Sequence, residues 1–141
     1  MAQGRLVLGV TLDTSVYIGA LNSRGEGSAL LAMARDGRIR IDISEPILSE
    51  MLRVLREKFA WAPYRLQDVR QKLVGVANLV SPPHALDIVR EDPADNRVLE
   101  CAVEARSDYI LTWDRDLLRL KEHARIRIMT PTEFFSRSAR Q

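Results

Sequence analysis

The chain has 141 residues, 46% hydrophobic and 28% charged, which suits one globular domain, residues 1–141, built on one core. No apolar run approaches the roughly 20 residues that a membrane span requires. A net charge of +2 from 21 basic and 19 acidic residues excludes a histone-like polycation and leaves room only for a local basic surface.

Residues 1–5 are a short polar start without the charged-then-apolar pattern of a secretory leader. Residues 6–12 are nearly continuously apolar, the signature of a strand covered on both faces. Asp13-Thr14-Ser15 ends that strand, so an acid with two hydroxyls beside it stands at a strand's carboxyl end, where a helix cap would explain Asp13 or Thr14 alone. Residues 16–21 continue apolar as a short helix. A polar, glycine-containing loop over 22–27 leads into a helix over 28–35, which the Asp36-Gly37 turn closes.

Residues 38–43 alternate polar and apolar, with Ile39, Ile41 and Ile43 on one face of a second strand. Ser44-Glu45-Pro46 then opens a helix whose core stripe includes Ile47, Leu48, Met51 and Leu55. Glu50 lies at the stripe's edge, about 60° round from Ile47 at the helical period. Edge glutamates are usually solvated, and that is the plain account of this one. Trp61-Ala62-Pro63-Tyr64 breaks the helix, residues 66–78 read as another amphipathic helix, and Leu79-Val80 form a brief strand or extended connection before Ser81-Pro82-Pro83. Residues 85–90 lead into the next helix.

Asp92-Pro93 has the grammar of a helix start, an acceptor at the N-cap and proline at the first helical position. In the helix that begins near Ala94, Asp95, Val98, Leu99 and Ala102 recur at i, i+3, i+4 and i+7, so the Asp95 carboxylate shares the apolar face. Taken alone, Asp95 would only complement the helix dipole. The single cysteine, Cys101, lies in this apolar pattern and forms no internal disulfide, which points to a reducing, cytoplasmic setting rather than to thiol catalysis.

Residues 108–112 read as a buried strand that delivers Thr112-Trp113-Asp114-Arg115-Asp116 at its carboxyl end, where open α/β sheets bind ligands. Asp114 or Asp116 could equally cap the short helix over 117–121. Residues 125–129 form a last strand, and 130–135 begin a terminal turn or helix. Residues 115–141 are rich in arginine, a surface that would suit phosphates but more often is a solvated face. Neither His84 nor His123 belongs to a metal-ligand pair, and both read as surface residues. The apolar pairs Leu30-Leu31 and Phe134-Phe135 suit core, with an interface in a homo-oligomer as the alternative. The order of elements argues an α/β fold with a mainly parallel sheet.

Considered together, Asp13, Glu50, Asp95 and Asp114 would be costly to converge without a cation. Oxygen ligands without histidine or cysteine suit Mg²⁺ or Mn²⁺ rather than zinc. A phosphoacceptor receiver domain also clusters acids near a threonine, but it would need a lysine after its last strand, and residues 125–130 supply none.

Leu12-Asp13-Thr14-Ser15-Val16, Ser44-Glu45-Pro46-Ile47-Leu48-Ser49-Glu50-Met51, Asp92-Pro93-Ala94-Asp95-Asn96 and Leu111-Thr112-Trp113-Asp114-Arg115-Asp116-Leu117-Leu118, in that order, resemble the PIN-domain family. More narrowly, they resemble its bacterial branch of toxin components of toxin–antitoxin systems, over about residues 7–135. The resemblance implies a three-layer α/β/α sandwich and a metal-dependent endoribonuclease that cleaves single-stranded RNA and is inhibited by a cognate antitoxin protein. It carries the catalytic and metal-binding positions onto Asp13, Glu50, Asp95 and Asp114, with Asp116 a candidate fifth acid. Thr14, Ser15 and Thr112 stand as supporting residues, and Trp113 and Arg115 as candidate substrate contacts. Two positions depart from the pattern, since many members have Asn where Ser15 stands and Gly where Trp113 stands. A PIN-like binding module whose metal site has decayed is the alternative that these departures raise.

Overall fold

The structure, a computed structural model, describes residues 7–22, 25–83, 89 and 92–139. The expected start of the first strand at Leu6, the surface reading of His84 and most of the lead-in over 85–91 lie outside the described residues. In chain order the elements are β1 (Leu8–Leu12), α1 (Thr14–Asn22), α2 (Glu26–Arg35), β2 (Ile39–Ser44), α3 (Glu45–Phe59), α4 (Pro63–Val76) and β3 (Asn78–Val80). They continue with α5 (Pro93–Ala105), β4 (Tyr109–Leu111), α6 (Arg115–Leu120), β5 (Glu122–His123), β6 (Ile126–Met129) and α7 (Pro131–Ala139).

The strands form one sheet in the order β3-β2-β1-β4-β6-β5, parallel throughout except for the β5–β6 pair. The chain winds outward from β1 to β3 and then crosses back to place β4 on the other side of β1. Right-handed crossovers therefore put α1 to α4 on one face and α5 and α6 on the other, an α/β/α sandwich of three layers. Two contacts agree with this. Thr11 of β1 reaches toward Cys101 of α5, while Tyr109 of β4 meets the ring of Phe134 of α7 edge-on at 5.6 Å on the opposite face. The reversal of strand order leaves a crevice between the carboxyl ends of β1 and β4, the place where such sheets bind ligands.

Covering both faces of a parallel sheet favours continuously apolar strands, which β1 and β4 largely are and the alternating β2 is not. Val10, Leu12, Ile41, Ile43, Ile110 and Leu111 are fully buried, and Leu48, Met51, Leu55 and Leu99 close over them from the helices. Leu30 and Phe134 belong to this core, with Leu31 and Phe135 half-buried against it.

The elements differ from expectation mostly at their ends. Helix α2 begins at Glu26 rather than 28, and α4 begins at Pro63 rather than 66 because a proline that breaks one helix also suits the first turn of the next. Ala60 adopts a left-handed conformation between them. Asn78 belongs to the edge strand β3 and not to α4. Strand β5 was not anticipated, and it makes His123 a half-buried sheet residue. Helix α7 is real, and Thr130 and Glu133 fix its start reciprocally: each accepts the other's backbone N–H, at 3.1 and 3.0 Å.

Candidate metal centre

Asp13 is held between the last rung of the sheet and the first turn of a helix. Its N–H donates to the Leu111 carbonyl at 3.0 Å, and its carbonyl accepts from the Val16 N–H at 3.0 Å. Its carboxylate Oδ2 accepts from the Thr112 hydroxyl at 2.7 Å and from the Ser15 hydroxyl at 3.3 Å. Thr112 is fully buried, and its hydroxyl oxygen also accepts the Asp114 N–H at 2.9 Å. One threonine thus sets the positions of two acids from two different strand ends.

Asp114 serves two of the roles that its sequence offered. Its Oδ1 accepts from the N–H groups of Asp116 and Leu117 at 2.7 and 3.3 Å, capping α6, while the carboxylate also offers an oxygen to the cluster below. Asp95 arrives as the third residue of α5, whose N-cap Asp92 accepts the Ala94 N–H at 3.1 Å. Asp95 is only 2% exposed, and its Oδ2 is buried without a hydrogen-bond partner among the described residues. One carboxylate oxygen each from Asp13, Asp95 and Asp114 lies within 4.8 Å of the others.

The electrostatics of this group are those of three acids facing one another. Burial, reinforced by Asp114, Asp13 and Asp92, pushes the Asp95 carboxyl up to about 8. Burial also raises Asp13, and Asp114 adds to the effect against hydrogen bonds from Thr112, the Thr14 amide and Ser15. A divalent cation would relieve both. The donor set is acceptor oxygen alone, and one of its residues, Asp95, carries a buried oxygen without a hydrogen-bond partner among the described residues, so the residues present fit Mg²⁺ or Mn²⁺.

The three acids floor an open cleft of about 250 Å³, walled by Thr14, Ser15, Glu50, Asp92, Ala94 and Trp113. A larger cleft of about 590 Å³, between α1, α2 and α4, is lined by apolar side chains with Arg35, Gln71 and Lys72. It holds no carboxylate, so volume alone does not locate the chemistry.

Of the four acids singled out in the sequence, three meet. Glu50 stands at the cleft wall outside the group, with both carboxylate oxygens taken by Arg53 Nη2 at 2.9 and 2.8 Å. Asp116 is not a fifth acid of the cleft. Its carboxylate lies 3.5 Å from Arg119 on the outside of α6, and it contributes through its backbone N–H to Asp114. Arg115 is exposed on the same short helix and does not line the cleft, whereas Trp113 lines it and is 47% exposed.

Two contributors escaped the sequence reading. Asp92 was read only as a cap, yet it shares the cleft, as an N-cap three residues before another inward acid allows. Asn96 is 2% exposed, and its amide exchanges two hydrogen bonds with the backbone of Val89, donating to the carbonyl and accepting the N–H, each at 2.8 Å. A side chain that mimics a strand partner in this way ties the segment before α5 to the helix carrying Asp95, and an asparagine after an aspartate gives no local sign of it.

A family model for the PIN domain matches residues 9–116. A search of curated proteins finds no match to the chain.

Proposed function

The chain belongs to the PIN-domain family, and from that membership we infer that it is a divalent-metal-dependent endoribonuclease acting on single-stranded RNA. The observation that carries this reading is the meeting of one carboxylate oxygen each from Asp13, Asp95 and Asp114 within 4.8 Å of one another, with the Oδ2 of Asp95 buried and without a hydrogen-bond partner among the described residues. A buried acid group of this kind needs a cation, and a cation at the floor of an open cleft meets a phosphodiester well.

The protein's part in the reaction is mainly positioning. Asp13, oriented by Thr112 and Ser15, and Asp114, fixed by its capping bonds, hold two oxygens at set places from two strand ends. Burial and the neighbouring acids hold the Asp95 carboxyl well above its ordinary range, and its carboxylate would be the third ligand of a bound cation. When bound, Mg²⁺ or Mn²⁺ supplies charge against the scissile phosphate and lowers the pKa of the attacking water. Glu50, paired with Arg53 at the cleft wall, acts from there through water. In-line attack leaves 5′-phosphate and 3′-hydroxyl ends.

The whole chain, 1–141, is taken as one nuclease domain working in the cytoplasm as the toxin of a toxin–antitoxin pair. Its partner is a cognate antitoxin protein encoded beside it. No helix of the described residues is long and apolar enough to cross a membrane.

The test is cleavage of a mixed single-stranded RNA by the purified protein with Mg²⁺, with Mn²⁺ and with EDTA, beside the Asp13→Asn protein. Cutting that needs the metal and disappears in the variant is the expected result. Equal cutting by the variant would remove the mechanism, and absence of cutting by a folded protein in either metal would remove the activity.

A further inference from the structure

The β4–α6 connection presents a large aromatic residue to the cleft from a backbone bonded on both sides. Thr112, on one side of Trp113, is fully buried, its N–H bonded to the Met129 carbonyl at 3.0 Å and its hydroxyl to Asp13 at 2.7 Å. Asp114, on the other side, is held by the Thr112 hydroxyl and by its capping bonds to α6. Between these clamps the indole lines the acidic cleft and remains 47% exposed. The other exposed large apolar side chains, such as Phe59, Tyr64 and Val103, do not line this cleft. Leaving a ring of this size half in water forgoes hydrophobic stabilisation that burial would give.

We propose that Trp113 is a stacking platform that selects an unpaired base, a purine over a pyrimidine, beside the phosphate to be cut. This rests on the nuclease reading above and goes beyond it by naming a specificity-determining residue. A fixed indole accepts the face of any base, and the larger purine face stacks more strongly. A base locked in a duplex cannot present that face, so the same ring accounts for selection of single strands. The acids beneath it recognise only the backbone and carry no base information.

The chain's two tryptophans make the proposal readable without turnover. Trp61 is 7% exposed, with the Arg65 guanidinium 3.6 Å from its ring centre, and serves as an internal reference. Tryptophan emission is followed while oligoadenylate or oligouridylate is titrated with Mg²⁺ into the Asp13→Asn protein, and, in parallel, KM and kcat for RNA cleavage are measured on Trp113→Ala and Trp113→Phe in the otherwise native protein. The expected results are quenching that is stronger with oligoadenylate, is lost with Trp113→Phe and is kept with Trp61→Phe. Trp113→Ala raises KM roughly 5- to 150-fold, the range for loss of one base–aromatic stack, with kcat changed far less, and Trp113→Phe recovers part of it. Metal-dependent cleavage with no quenching and no change in KM would overturn the platform and leave the nuclease standing. Quenching by RNA in a protein that never cleaves would uphold the platform and overturn the nuclease.

Discussion

Two sets of buried carboxylates lie on the same sheet and are treated in opposite ways. Asp42, in the middle of β2, is fully buried and accepts four hydrogen bonds: from Arg40 Nε and Nη2 at 2.6 and 3.0 Å, from the Asn78 amide at 2.9 Å and from the Ser107 hydroxyl at 2.6 Å. Arg40 supplies the opposite charge, and its own guanidinium is held further toward the charged form by Asp42. Asp13, Asp95 and Asp114 are gathered by the carboxyl ends of β1 and β4 with hydroxyl and amide donors but no basic side chain at their carboxylates among the described residues, and an oxygen of Asp95 bonds to nothing among them. Burial of an acid is therefore not what marks the site. A saturated buried acid is architecture, whereas an unsatisfied one on a helix's first turn, beside two further acids, fits a cation.

The widest separation between the two sets should appear on removing one acid from each. Asp13→Asn is expected to lower metal-dependent RNA cleavage by more than about a hundredfold, since loss of a mere outer-shell partner already costs 10- to 100-fold, while the metal-free protein unfolds no earlier than the native one. Asp42→Asn should do the reverse, keeping cleavage per folded molecule and losing about 2 kcal/mol of stability as Arg40 and Ser107 lose their acceptor. Urea unfolding beside the cleavage assay reads both. Equal loss of stability in the two variants would dissolve the distinction.

The next contrast lies within the candidate site. Thr112→Val keeps the shape of the side chain and removes a hydroxyl that donates to Asp13 and accepts from Asp114. Mg²⁺ affinity measured by calorimetry should fall about 10- to 100-fold, the usual consequence of losing an orienting partner. An unchanged affinity would mean that the two acids hold their places without it.

A smaller effect with a definite sign concerns pH. The Asp95 carboxyl, at about 8 in the folded metal-free chain against 3.8 ordinarily, keeps a proton that the unfolded chain has released. Its contribution to stability is complete below about pH 4 and is lost as the pH rises toward 8. Metal-free protein should accordingly become less stable across that window. Asp95→Asn should flatten the slope and raise the melting temperature near pH 8 by about 4–8 °C, on the order of 2 kcal/mol. Because ligands bind deprotonated, Mg²⁺ uptake at pH 7 should release protons, visible as a buffer-dependent heat. A flat stability profile in the metal-free native protein would show that Asp95 is not held neutral.

How much of this could be read in the sequence follows the same division. Asp13 and Asp114 were legible because an apolar strand ending in an acid is a local pattern, and Asp95 because its face follows from helical spacing. The triad was thus predictable residue by residue. Glu50 was equally visible, but its pairing with Arg53 one turn along the helix was not weighed, and this pair holds it at the cleft wall. Asp42 escaped altogether, because the alternation over 38–43 suggests one solvated face. What covers that face is α5 and Ser107, 65 residues away, and local periodicity does not report coverage by a distant element. Strand β5, at two residues, is too short to carry any period.

The finest test of the comparison falls on Gly9, which stands opposite Arg40 in the β1–β2 register. A Cβ at Gly9 would lie 2.7 Å from Arg40 Cζ and 3.1 Å from Asp42 Oδ2, so the guanidinium rests where an alanine methyl would be. Gly9→Ala imposes no left-handed backbone there, and the strain falls chiefly on Arg40 and, by a few tenths of an ångström, on Asp42 Oδ2. That side chain is 40% exposed and can swing outward, which limits the damage. Asp42 then keeps Asn78 and Ser107 but loses its neutralising partner. The expected cost is about 1 kcal/mol, or roughly 2–4 °C in melting temperature, with Mg²⁺ affinity and cleavage unchanged. In an Asp42→Asn background the same substitution should cost less, because the charge that Arg40 balances has gone. An equal cost in both backgrounds would mean that Gly9 is kept for a reason other than the Arg40–Asp42 pair.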